Sequence, residues 1–387
     1  MPARSAALDA ATLREQFLLD PEVIFLNHGS YGACPAPVFA VYQEWQRELE
    51  RQPVEFLGRR CEALLDAARA RLADYLAVSA DDLVFVTNAT SGLNVIARSL
   101  PLRPGDEVLA TDLEYGALDL TWEWLCEKSG ASYVRRSIAL PVTTPGAFVD
   151  AFWSGVTPRT RAIFLSHITS GTALILPIEE ICKRARAAGI LTIVDGAHAP
   201  GQIPLDLTAL DVDIYAGNCH KWLCAPKGSG FLYVRPEHQA FVESLTISWG
   251  WRPGHNFVSR NQWQGTRDLA AFLATPAAIE FQEEYSWDTI RWRCHSQARR
   301  TRQRLGAQFG LPGLSPDDES WYAQMVAIPL PLVDPIALGE RLYQEYRIEV
   351  PLTEHLGQQA VRVSVQGYTT DQDLDALVAA LTEEIPN

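Results

Sequence analysis

The chain has 387 residues and a mass of 42.9 kDa, long enough for two or three structural units around a substantial core, which excludes small disulfide modules and peptides. Hydrophobic residues make up 47% and charged residues 21%, and 25 glycines and 24 prolines are scattered without period, so collagen-like and disordered classes fail as well. A formal net charge of −14 repels phosphate backbones and anionic lipid at long range, and neither nucleic acid nor a membrane is expected as a partner. The opening segment MPARSAALDAATLREQFLLDPE has no sustained apolar stretch, so a cytoplasmic location is expected. Seven dispersed cysteines (Cys34, Cys61, Cys126, Cys182, Cys219, Cys224 and Cys294) read as reduced thiols. Cys219 and Cys224 flank His220 without a second pair at zinc spacing, so no metal is expected.

Residues 1–20 read as an N-terminal arm. Short β-rich runs then alternate with helical ones. VIFLN (23–27), LVFVT (83–87), EVLAT (107–111), SYVRR (132–136), AIFLSH (162–167), ILTIVD (190–195) and GFLYV (230–234) read as strands, several of them apolar throughout, as expected where both sheet faces are buried. One helix begins near Pro35 and Pro37 and carries Val38, Tyr42, Trp45 and Leu49 on one stripe; another aligns Leu64, Leu65, Ala68, Leu72, Tyr75 and Leu76. Strand and helix in series predict an α/β fold, a doubly wound, mostly parallel sheet covered on both faces, over 21–265. Beyond it the rhythm changes to a long helical stretch through Arg304, strand-like MVAIPLPL (325–332), a helix near 335–346, strand-like VRVSV (361–365) and a last helix from Thr370. That pattern predicts a smaller α+β domain over 266–387, with the N-terminal segment packing near it.

Asp195, in VDGAHAPGQ, follows the strand ILTIV and so stands at a carboxyl end, where ligand crevices of open α/β sheets form. On its own an Asp before Gly196 caps a turn. Lys221, 26 residues on in GNCHKWLCAPKGSG, follows a short strand-like DIYAG; lysines confined in this way lose their charge readily and condense with carbonyls. An acid and a lysine at neighbouring strand ends suit pyridoxal phosphate, whose aldehyde needs the amine and whose ring nitrogen needs the acid. A carboxylate near 4 Å from a pyridinium gains ~4 kcal/mol at an effective dielectric of 20, enough to hold the ring protonated. For the phosphate, TNATSGLN opens a helix at which the amides of Thr90, Ser91 and Gly92 favour an anion, with His220 as a further donor. Tyr115, just past EVLAT, is placed to stack on a planar ring.

These residues carry a family resemblance. FLNHGSYGACP (25–35), NATSGLN (88–94), LEYGA (113–117), SHITSGTALILP (166–177), VDGAHAPGQ (194–202), CHKWLCAPKGSGFLYV (219–234), QGTRD (264–268) and VRVSVQGYTT (361–370) together resemble the fold-type I pyridoxal phosphate enzymes of the class V aminotransferase group, in particular their isopenicillin N epimerase branch. The resemblance implies that Lys221 holds the cofactor and moves the Cα proton, that Asp195 pairs the ring nitrogen and that Tyr115 stacks where relatives often use His. It implies further that Thr90, Ser91, Gly92 and His220 hold the phosphate, with His198 and Ser170 near the phenolic oxygen. Arg362 matches the arginine that clamps the substrate carboxylate, with Asn27 and His28 beside it. Thr266 matches a residue that reaches the neighbouring subunit's cofactor, which implies a homodimer. PLTEHLGQQAVRVS lacks the cysteine that desulfurases carry before the clamp arginine, which disfavours persulfide transfer.

The reactions left open are epimerisation at Cα, β-elimination from a cysteine conjugate, and transamination. A non-catalytic binding protein of the same fold is the remaining alternative, against which the presence of both Lys221 and Asp195 speaks. The aromatic segment SWGWRPGHNFVSRNQW (248–263) is the expected wall of a bulky side-chain pocket.

Overall fold

A computed structural model describes residues 8–385. Twelve strands are present among them: β1 Ile24–Phe25, β2 Leu83–Val86, β3 Glu107–Thr111, β4 Ser132–Arg136, β5 Thr160–Ser166, β6 Leu191–Gly196, β7 Ile214–Asn218, β8 Gly230–Val234, β9 Met325–Pro329, β10 Ile348–Glu349, β11 Leu352–His355 and β12 Gln358–Ser364. Seven form the central sheet in the order β2–β8–β7–β6–β5–β3–β4. β7, β6, β5, β3 and β4 run parallel, and β8 is antiparallel to both of its neighbours. β2, β3, β7 and β8 are buried at every position, which is why β2 and β8 read as apolar runs and β3 and β7 carry polar residues only at their ends. The edge strand β4 is half exposed and carries Arg135 and Arg136, charges that discourage pairing with another sheet.

Both faces of the sheet are covered. On one, Ala89–Ser99 and Gly116–Ser129 bury Leu93, Ile96, Leu118 and Trp122 against Val84, Val108 and Phe164. On the other, Cys61–Leu76 buries Leu65, Leu72 and Leu76 in a continuous core with Phe85, Leu165 and Phe231. The helical run expected from 267 to 304 is divided into Ala270–Leu273, Thr275–Glu284 and Trp287–Phe309. The last break falls at Ser286, whose φ of 50° is left-handed and cannot be carried through a right-handed helix. In space the first two of these helices pack on Ala36–Arg51 and Cys61–Leu76, alongside the large layer, although they follow residue 265.

The C-terminal part is a three-stranded antiparallel sheet, β11–β12–β9, backed by Trp287–Phe309 and Asp371–Glu384. The expected strand at 23–27 is not part of the central sheet. Only Ile24 and Phe25 are extended, and they pair in parallel with Ile348 and Glu349 as a separate two-stranded sheet, which fastens the start of the NHGSYG segment to the C-terminal part. β12 lies alongside it, with Ser364 N donating to Leu26 O at 2.9 Å.

Candidate active site

The parallel strands end at one edge of the sheet, and the chemistry-bearing residues collect there. Asp195 is the next-to-last residue of β6, Ser166 closes β5 directly opposite it in register, and Lys221 follows β7 by three residues. Tyr115 caps the helix after β3. Since the sheet order is β7–β6–β5–β3, Lys221 and Tyr115 stand on opposite sides of Asp195. One cavity of about 220 Å³ is lined by Thr90, Tyr115, Ser170, Asp195, His198, His220 and Lys221, together with Ser30, Tyr31 and Asn218.

Lys221 Nζ lies 3.2 Å from His198 Nε2, and Trp222 Nε1 donates to His198 Nδ1 at 3.3 Å. Burial pushes the lysine below its ordinary range, against the attraction of Asp195. The same burial pushes the Asp195 carboxyl up, against a hydrogen bond from Ala197 N at 2.9 Å. The loop that carries the lysine is held by backbone approaches that leave no room for a side chain. A Cβ at Gly32 would sit 2.0 Å from His220 O, and one at Gly201 would sit 2.2 Å from Trp222 O; both glycines have positive φ, 72° and 85°.

Asn88 caps the helix Ala89–Ser99, accepting from Ser91 N at 2.8 Å, and its carbonyl accepts from Gly92 N at 3.1 Å. The amides of Ser91 and Gly92 are therefore engaged within the helix start, a correction to the expectation that all three amides face an anion. Thr90 lines the cavity, and Ser91 Oγ pairs with Thr87 Oγ1 at 2.9 Å. Gly92 packs on Val86, Ala216 and Leu232 beneath the helix. His220 Nδ1 bonds to Ser229 O at 3.0 Å; a carbonyl only accepts, so the neutral ring carries its proton there, and Nε2 donates to an anion only after gaining a second proton.

Arg362 is 5% exposed and gripped on three sides. Nη1 donates to Ser170 O at 2.8 Å and to Ser170 Oγ at 3.3 Å; Nη2 donates to Ser30 Oγ at 2.8 Å and to Asn27 Oδ1 at 3.4 Å. Its Nε is buried without a partner among the described residues, the mark of a guanidinium prepared for an anion. Ser170 therefore faces the arginine. His28 is fully buried behind the lysine loop, with Nε2 3.0 Å from Lys221 O and Nδ1 2.9 Å from Tyr368 OH; it supports the site from beneath and does not line the cavity. Thr266 lines a separate apolar hollow with Pro53, Val54, Leu57 and Trp263.

Glu114 is the acid that the sequence reading missed. It accepts from Thr111 Oγ1 at 2.6 Å and from both Ser166 N and Ser166 Oγ at 2.7 Å, and burial pushes it up to about 7. It ties the ends of β3 and β5 together beside Asp195. Its place directly before Tyr115, just past the end of β3, was the available signal.

Buried histidines dominate the acid response of this region. Burial pushes His28 down to about 3, His167 and His220 to about 4, and His198 well below the usual range, so each stays neutral in the fold and takes up a proton on unfolding below about pH 6.5. Glu114 and Asp195, pushed up, work in the opposite sense. Four histidines against two carboxyls leave a net uptake of about two protons, so stability should fall by about 3 kcal/mol per pH unit between about pH 6 and pH 5. Chemical denaturation of the cofactor-free protein at a series of pH values measures this slope, and a flat profile would contradict it.

A buried amine, a facing acid and a helix start with hydroxyl donors match, respectively, an aldehyde, a ring nitrogen and a phosphate, and the residues present fit pyridoxal phosphate on all three counts. The chain belongs to the aminotransferase class-V family, whose model matches residues 33–377, and is a pyridoxal-phosphate-dependent enzyme of fold type I. It is 38% identical to isopenicillin N epimerase of Amycolatopsis lactamdurans, covering 96% of this chain and 98% of that protein. It is 36% identical to isopenicillin N epimerase of Streptomyces clavuligerus, covering 97% and 98%. A probable chloroplastic L-cysteine desulfhydrase of Arabidopsis thaliana is 28% identical over 86% of this chain and 75% of its own length. Among solved structures, the cysteine desulfurase CsdA of Escherichia coli superposes with a TM-score of 0.81 at 24% identity, covering 97% and 98% of the two chains, a likeness of fold.

Proposed function

We propose that the enzyme inverts the configuration at Cα of an amino-acid substrate, as an epimerase similar to isopenicillin N epimerase. The observation that supports this most is the placement of Lys221 and Tyr115 on opposite sides of Asp195 in a chain 38% identical, over nearly its whole length, to such an epimerase. When bound, the cofactor withdraws electrons from Cα and so acidifies its proton. The protein does the rest. Arg362, held by Ser30, Ser170 and Asn27, receives the substrate carboxylate and fixes which bond at Cα is broken. Lys221 Nζ takes or returns the proton. Asp195 keeps the ring nitrogen charged, with Glu114 bracing the neighbouring strand end. Tyr115 packs against the ring, and Thr90, Ser91 and His220 hold the phosphate, His220 as a doubly protonated ring favoured by the anion's charge.

The second reading, β-elimination from a cysteine conjugate, is favoured by the desulfhydrase relatives. A persulfide route of the desulfurase kind is not supported. Six of the seven cysteines are buried, and burial pushes the half-buried Cys34 thiol up to about 12, far from the thiolate that such transfer needs. The test is incubation with amino acids, α-aminoacyl peptides and cysteine conjugates in deuterated water. Deuterium at Cα with a mixed or inverted configuration supports the epimerase; keto acid with release of a sulfur fragment overturns it in favour of the lyase; stoichiometric cofactor amine reversed by keto acids overturns both.

The reading includes a cytoplasmic homodimer in which Thr266, remote from its own chain's cavity lining, serves the partner's site. Light scattering that returns a monomer for the active protein would remove that part. No helix among the described residues is long and apolar enough to cross a membrane.

A further inference from the structure

Lys221, His198 and Trp222 form a relay whose polarity is fixed at one end. An indole N–H can only donate, so the 3.3 Å contact from Trp222 Nε1 makes His198 Nδ1 an acceptor. A neutral imidazole that accepts at Nδ1 carries its proton on Nε2. His198 is held neutral first by its burial; a charge on Lys221 or on the Arg362 guanidinium of β12 works in the same direction, and the neutral rings of His220, from the lysine loop, and His28, from the NHGSYG segment, also face it. Its Nε2 therefore presents an N–H to Lys221 Nζ, 3.2 Å away. A lone pair accepts that proton, whereas an ammonium has none to offer.

We propose that Trp222 is a positioning residue for the carbonyl-capturing lysine: by donating to His198 Nδ1 it selects the tautomer whose Nε2–H faces Lys221, and so holds Lys221 as the free amine. The proposal rests on Lys221 being the amine that captures the cofactor. In that step the Nζ lone pair forms a bond to the aldehyde carbon, the carbon–oxygen double bond breaks, and the oxygen leaves as water with the two hydrogens of the amine. An ammonium must first surrender a proton, so the free-amine fraction sets the rate. Two other charges face the lysine, Asp195 of β6 favouring the ammonium and Arg362 of β12 opposing it; neither shares an element with Trp222. The indole is rigidly placed: it is fully buried, its own carbonyl accepts from Gln282 Nε2 at 2.7 Å, and Gly201 packs against that carbonyl.

The experiment mixes cofactor-free protein with pyridoxal 5′-phosphate and follows the visible band between pH 6.5 and 10. For W222F the capture rate at pH 7 should fall about tenfold and recover at high pH, an upward shift of about one unit in the controlling pKa. In an H198Q background, which has no tautomer to select, W222F should cause no further shift. An unshifted profile for folded W222F, or an equal shift in the H198Q background, overturns the role of Trp222. Nitrogen NMR of histidine-labelled wild-type protein needs no variant to fold: a bare Nδ1 and a protonated Nε2 on His198 are expected, and a protonated Nδ1 overturns the proposal. Failure of the wild-type protein to form the band on Lys221 would instead remove the lysine reading itself, so the two failures are distinguishable.

Discussion

Lys221→Ala should lower Cα proton exchange by at least about a thousandfold, because the variant loses the positioned base and the covalent seat of the cofactor at once. The amine is unusual in this chain. It is enclosed by Asp195, His198 and Arg362, whereas Lys227 is committed to Gly32 O at 2.8 Å and Lys183 lies on the outer helix Ile178–Ala188. Borohydride reduction of the wild-type protein followed by peptide mapping should place the cofactor on Lys221 alone. The variant should still bind the cofactor, reversibly and without the band of the lysine-linked form, since the acid and phosphate ends of the cavity are untouched. Retention of more than about a tenth of the exchange rate, or a label on Lys227 or Lys183, would refute the assignment.

Arg362→Ala is the second large effect. The guanidinium is charged at neutral pH even though burial brings it down to about 10, and its unpartnered Nε and its neighbours Ser30, Ser170 and Asn27 orient it before any substrate arrives. Losing a desolvated, two-pronged carboxylate contact costs about 2 to 5 kcal/mol, so kcat/KM should fall by roughly tens-fold to thousands-fold while the visible spectrum of the bound cofactor stays intact. An exposed arginine would cost about 0 to 1 kcal/mol. Arg362→Lys should recover little, because an ammonium cannot bond Ser170 O, Ser30 Oγ and a carboxylate in one plane. A loss below about fivefold for the Ala variant would move the clamp elsewhere, with Arg252 and Arg260 the next residues to replace.

Strand ends were the legible part of this molecule. An apolar run followed by Asp195, and another followed closely by Lys221, announces chemistry because a parallel sheet buries its strands and exposes their carboxyl ends together. What escaped is non-local. VIFLN has the composition of a central strand, yet its partner is Ile348–Glu349, more than 300 residues away, and no local pattern encodes that pairing. His198 reads as one polar residue among small ones, and its tautomer is set by Trp222, whose bulk reads as core. Glu114 reads as an ordinary solvated acid beside Tyr115, since the hydroxyls that hold it come from Thr111 and from a different strand.

The two glycines that press on the lysine loop set limits on redesign. A mutagenesis library meant to widen substrate acceptance can vary Tyr31, which is 74% exposed at the cavity, because a new side chain there displaces only solvent or other side chains. Any residue with a Cβ at position 32 or 201 must push the peptides of His220 and Trp222 aside, and the amine, the imidazole and the indole move with them. Those two sites have no tolerated alphabet beyond glycine, so diversity spent on them is lost, and a selection for altered specificity should find its winners around the cavity mouth with residues 32 and 201 unchanged.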